Sequence, residues 1–298
     1  MPDTTPPPAH HSAWPAHRLF ATLLALALLG CGGGGVAHGA ASAGAAATAR
    51  WALVWSDEFN AAAGSPPNRS TWSDDLGNAE ANGWGNHELQ YYTAAPRNAF
   101  HDGKGRLVLR AERAVNPGPC WNGRPCDFTS ARILTRGKVS YTYGKVEARI
   151  KVPAGVGLWP AFWSLGDSHL PWPQAGELDI MEYVGKEPNT TYGTAHGPGY
   201  SGGSGIGRPR PFGTPVADRF HVFTLIKRPN EIIWQVDGIE YHRLTPASLP
   251  PGAPWVFERP FFLILNLAVG GDWPGPPDGS TVFPARMLVD WVRIYQER

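Results

Sequence analysis

Between Lys145 and Val152 charged and apolar residues alternate without a break. Val146, Ala148, Ile150 and Val152 fall on one side, and Lys145, Glu147, Arg149 and Lys151 on the other. A period of two belongs to an extended strand with one buried face, whereas a helix would repeat its apolar residues every three or four positions. Arg106–Arg113 has the same period, with Leu107, Leu109 and Ala111 on one side. His221–Leu244 reads as a meander whose last turn, Asp237-Gly238, suits the left-handed backbone of a tight hairpin. Phe261–Val269 is a buried apolar run, and Met287–Tyr295 supplies a final strand. Few windows offer a helical period, and 36 Gly with 30 Pro furnish the turns that many short strands need. The expected fold is therefore all-β: a jelly-roll sandwich of two packed antiparallel sheets. Residues 51–298 contain no second linker, repeat or composition break, and are expected to form one domain.

The start of the chain reads as a targeting segment. After Arg18 comes the mostly apolar run Leu19–Leu29, too short to span a bilayer. It ends in Leu28-Leu29-Gly30-Cys31, which resembles a bacterial lipoprotein processing site. Residues 1–31 are expected to be a signal peptide with Cys31 lipidated, and residues 32–50 a Gly/Ala-rich tether. Cleavage after Ala40 is the second reading. Both send the protein out of the cytoplasm, as an extracellular protein or cell-envelope lipoprotein of a bacterium that meets the membrane only through a lipid. Cys120 and Cys126 then remain, flanking a turn-rich loop with Gly123 and Pro125 that can close as a disulfide. Such a short ring would stabilise the fold by roughly 2 kcal/mol. A net charge of +1 gives no field for nucleic acid, while 13 Trp suit an aromatic surface for a neutral polymer.

The stretch Glu177-Leu178-Asp179-Ile180-Met181-Glu182 places three carboxylates within six residues, separated by apolar side chains. Like charges on one strand face repel and raise each other's pKa, so such a cluster is kept where chemistry uses it. Glu177 and Asp179 share a face by alternation, but the third acid comes one position late. A β-bulge at Ile180-Met181 would absorb the extra residue and return Glu182 to that face. The two Glu Cα atoms would then lie roughly 13 Å apart, four strand steps of about 3.3 Å. Side chains leaning together would bring the carboxyls to about 5–6 Å, the spacing of retaining glycosidases. A solvated acidic face or a hard-cation site is the plainer alternative.

The flanks make the resemblance specific. Gly157-Leu158-Trp159-Pro160-Ala161-Phe162-Trp163 precedes the acids, as do Trp172-Pro173 and Gly176. Trp84-Gly85-Asn86-His87-Glu88-Leu89-Gln90-Tyr91-Tyr92 lies upstream, and Leu265-Asn266-Leu267-Ala268-Val269-Gly270-Gly271-Asp272-Trp273-Pro274-Gly275 downstream. Together these resemble glycoside hydrolase family 16, in its laminarinase-like branch. The resemblance implies a β-jelly-roll with a concave glycan-binding cleft, and an exported endo-β-1,3-glucanase acting as a monomer on laminarin-type β-glucan. It implies Glu177 as nucleophile, Asp179 as assisting acid and Glu182 as general acid/base, with no catalytic cofactor. Trp159, Trp163, Trp172 and Trp273 are implied as walls on which sugar rings stack, though any single Trp is as readily a core residue. His196 is implied in the cleft, and Asn86 and Glu88 as contacts to sugar hydroxyls; His87 and Asp272 depart from the family pattern. Glu58, Gly103 and Asp290 resemble positions that hold a structural calcium. The other readings are a β-1,3-1,4-glucanase or galactan hydrolase of the same fold, and a non-catalytic glucan-binding protein.

Overall fold

The alternating segments become strands in two sheets. The computed structural model describes residues 50–78 and 82–298; the expected signal peptide, Cys31 and all of the tether but residue 50 lie outside them. One sheet runs, in hydrogen-bonded order, β16 (Ile239–Leu244), β15 (Glu231–Val236), β14 (His221–Arg228), β9 (Gly144–Lys151), β18 (Ala285–Glu297), β5 (Leu107–Arg113), β6 (Phe128–Ser130) and β3 (Gln90–Tyr92). Two more strands join it, β1 (Trp51–Asp57) against β18 and β4 (Ala99–His101) against β5. The other runs β13 (Ile206–Pro211), β12 (Thr190–His196), β11 (Glu177–Glu182), β10 (Leu158–Gly166), β17 (Phe261–Val269), β7 (Arg132–Leu134) and β2 (Ser73–Asp75), with β8 (Ser140–Tyr141) also on β17. Every named pairing is antiparallel except β3 with β6.

The core lies between the sheets. Val146, Ala148 and Ile150 of β9 meet Phe162 of β10, Leu178 of β11 and Leu263, Leu265 and Leu267 of β17 in one buried cluster. β17 is buried on both faces, as its uninterrupted apolar run predicts. Its other face, with Phe262 and Ile264, joins Leu134, Trp163 and Leu165 in a smaller cluster beside the acids. The meander β14–β15–β16 forms as expected, and Asp237 and Gly238 take φ values of 51° and 78°, the left-handed turn their identities favour. Cys120 and Cys126 are joined in a disulfide with their Cα atoms 4.9 Å apart.

Candidate active site

On β11 the ladder breaks where the spacing of the acids demands it. Against β10, Asp179 faces Trp163 and Met181 faces Phe162, leaving Ile180 as the extra residue. Against β12, Asp179 faces Thr194 and Glu182 faces Tyr192, so Ile180 and Met181 together oppose Gly193. Leu178, Ile180 and Met181 all enter the core between the sheets. Glu177, Asp179 and Glu182 consequently share the opposite face, which is the function of a bulge.

The bulge leaves the Asp179 carbonyl off the regular ladder, and the indole of Trp234 satisfies it. Trp234 belongs to β15 in the other sheet, is fully buried, and donates from Nε1 to Asp179 O at 2.8 Å. Gly193 admits that ring, since a Cβ there would come within 2.5 Å of Trp234 Cδ1. Trp234 is thus a core residue, but one that touches the acidic strand's backbone.

Each outer acid carries an indole partner. Trp172 Nε1 donates to Glu177 Oε2 at 3.2 Å, and Trp159 Nε1 to Glu182 Oε1 at 3.2 Å. Thr194 Oγ1 is 3.5 Å from Glu182 Oε2. His196, directly opposite Glu177 on β12, brings Nε2 to 3.1 Å from Asp179 Oδ2 and 3.7 Å from Glu177 Oε1. Burial is the first cause pushing all three acids far above the carboxylate range, each to about 8. The Asp179 charge adds to the rise at Glu177 and Glu182, while His196 opposes it at both. Charge crowding, the cause expected from the sequence, therefore ranks second to desolvation at Glu177 and Glu182 and does not figure at Asp179.

The aromatic residues divide. Trp159 and Trp163 lie on one face of β10, with Trp273 edge-on to Trp159 at 5.6 Å and Tyr192 edge-on to Trp273 at 5.0 Å. Trp172 is half exposed beside His196. Trp163 is engaged otherwise: its Nε1 donates to Asn266 at 2.7 Å, and the Arg132 guanidinium stacks 4.8 Å from its ring centre. Arg132 also covers Trp84 and pairs with Asp75 at 2.9 Å. Asn86 reaches Glu88 at 3.4 Å, but Glu88 lies deeper than a contact to sugar needs, being 5% exposed. Its carboxylate also accepts from Gln90 at 2.6 Å and Tyr92 at 3.3 Å, and burial lifts its pKa to about 7. Glu88 braces the loop from within. His87 and Asp272 meet each other, His87 Nδ1 lying 2.9 Å from Asp272 Oδ2.

The side chains expected to share calcium are occupied separately. Glu58 forms a two-pronged pair with Arg293 at 2.9 and 2.8 Å, and Asp290 pairs with Arg149 at 2.6 Å. A cation placed between those carboxylates would meet two guanidinium charges, so the side-chain half of that donor set does not fit. Among the described residues, the side chains that converge as a ligand set are Glu177, Asp179 and His196, whose donor atoms lie within 4.8 Å of one another. Arg132 carries no signal in the sequence, whereas Thr194 and Asn266 lie inside stretches quoted for their neighbours. Trp234 reads from the sequence only as a core or convex-face residue, and it reaches the site from the opposite sheet through its hydrogen bond to Asp179.

The profile of glycosyl hydrolases family 16 matches residues 82–293. An endo-β-1,3-glucanase from Pyrococcus furiosus superposes with a TM-score of 0.78 at 46% identity, over 83% of this chain and 95% of that one. A β-glucanase of Rhodothermus marinus is 41% identical over 83% of this chain and 85% of its own length. A glucan endo-1,3-β-glucosidase A1 of Niallia circulans is 37% identical over 83% of this chain, which spans only 38% of that longer protein. With a profile covering most of the chain and relatives this similar, the protein belongs to glycosyl hydrolase family 16.

Proposed function

We propose that this protein is an endo-acting β-1,3-glucanase that hydrolyses laminarin-type glucans with retention of configuration. The observation that carries the reading is the bulge, which sets Glu177 and Glu182 on one face, each held by an indole. Glu177 attacks the anomeric carbon while Glu182 protonates the departing glycosidic oxygen, giving a glycosyl ester on Glu177. Glu182, now ionised, takes a proton from water, and the resulting hydroxide displaces Glu177 from the sugar. Asp179 lies between them, its Oδ2 3.1 Å from His196 Nε2. Trp159, Trp172 and Trp273 supply flat apolar surfaces for sugar rings, with Asn86 at the rim. Support for the substrate comes from the Pyrococcus and Niallia relatives, both described as acting on β-1,3-glucan.

Laminarin beside barley β-glucan is the deciding assay, run with wild type, Glu177→Gln and Glu182→Gln. Wild type should favour laminarin; Glu182→Gln should lose roughly 10²–10⁴-fold in kcat, the range for removing one acid/base group, and Glu177→Gln, which removes the nucleophile, at least as much. Equal activity of wild type and Glu177→Gln sinks the assignment, and preference for barley β-glucan moves the substrate to mixed linkages. We further propose that the protein is exported and anchored through Cys31. The Cys120–Cys126 disulfide supports an oxidising compartment.

A further inference from the structure

We propose that Glu177, Asp179 and His196 form a reversible binding site for a borderline divalent cation, with Zn²⁺ as the type ion, and that the bound ion blocks hydrolysis. The blocking half rests on the glycosidase reading of the same acids; the binding half does not. His196 Nε2 lies 3.1 Å from Asp179 Oδ2 and 3.7 Å from Glu177 Oε1, and all three donor atoms fall within 4.8 Å. A tetrahedral ion with bonds of about 2.0–2.2 Å holds its ligand atoms about 3.4 Å apart, so small side-chain movements complete the shell. Asp179 is 4% exposed, and among the described residues its Oδ2 has no hydrogen-bond partner although it is aimed at the imidazole. Glu177 presents Oε1 to the same point, because Trp172 already holds Oε2.

The donor set chooses the ion. One imidazole and two carboxylates match the three protein ligands of zinc sites that keep an open position, whereas Ca²⁺ takes six to eight oxygens. Two crowded buried acids also gain from a divalent charge placed between them. The outer nitrogen of His196 makes the site exchangeable. A ligating His normally donates its other N–H to an acceptor, and loss of that partner weakens metal affinity 10–100-fold. Among the described residues His196 Nδ1 has no partner, and it packs against Gly205, where a Cβ would come within 2.6 Å of it.

Co²⁺ serves as the spectroscopic probe on EDTA-stripped, full-length protein without substrate. Wild type should bind one Co²⁺ with a visible d–d band that Zn²⁺ displaces. His196→Gln and Asp179→Asn, each checked for folding by circular dichroism, should bind at least tenfold more weakly. His87→Ala, which removes the exposed His87–Asp272 pair, should bind as wild type does. Zn²⁺ should inhibit laminarin hydrolysis over the same concentration range, with EDTA restoring activity. Equal affinity in wild type and His196→Gln overturns the proposal, as does no saturable binding below about 1 mM, the limit of weak affinity, or binding that leaves hydrolysis untouched. Co²⁺ binding by a protein inactive on laminarin sinks the glucanase reading alone, and laminarin activity without Co²⁺ binding sinks this one alone.

Discussion

Asp179 is the most enclosed of the three acids, and its burial has a measurable consequence. Desolvation raises its folded-state pKa to about 8 from an ordinary 3.8. The folded protein therefore keeps this proton to higher pH than the unfolded chain does. Its contribution to stability is most favourable below about pH 4 and is lost as pH rises toward 8. Asp179→Asn removes that slope. Its melting temperature relative to wild type should climb between pH 5 and pH 8, by roughly 2–4 °C for each kcal/mol of penalty removed. Parallel melting curves across that range would show that Asp179 is not held protonated by burial. The three acids were legible because they sit together in the sequence with a spacing that no regular strand explains. Arg132 was not, since it reaches Trp84 and Trp163 across 48 and 31 residues of chain and carries no local signature (132 − 84 = 48; 163 − 132 = 31).

At the level of the element, β11 is shaped by contacts on both of its faces. Ile180 and Met181 fill the core, while their displacement from the ladder turns Glu182 outward. Trp234 closes the resulting gap in hydrogen bonding from the far sheet, 55 residues along the chain. Trp234→Phe keeps the ring in the core but leaves the Asp179 carbonyl unpaired, which should cost about 1–3 kcal/mol of stability. Because the bulge also aims the acids, kcat on laminarin should fall more than KM changes. Urea unfolding together with steady-state kinetics reads both quantities; unchanged kcat would detach the indole from the site's geometry. The bulge itself could be read from the late position of Glu182, because side-chain direction in a strand is a local property. The indole that supports it could not, because which side chain crosses the core depends on how two sheets stack. Glu88 illustrates the same limit: its motif placed it near the site, yet only packing shows that Gln90 and Tyr92 enclose its carboxylate.

For the whole molecule, the alternation of β9, the meander and the apolar run of β17 were enough to expect two antiparallel sheets. The pairing order was not legible, since β10 meets β17 across 95 or more residues, Gly166 standing opposite Phe261, and nothing local encodes that choice. The loops then converge by tertiary contact: His87 pairs with Asp272 and packs against Trp121 of the disulfide loop, 4.3 Å between ring centres. The chain's first residues carry a separate prediction. Mass spectrometry of the membrane fraction should find Cys31 as the lipid-bearing first residue, and a mature chain beginning at Ala41 would favour plain secretion instead. The central claim is that the bulge arms Glu177 and Glu182 for double displacement on one substrate face. Proton NMR of the first products from laminarin tests it most directly: the new reducing ends should appear as the β-anomer before mutarotation, and an initial α-anomer would contradict it.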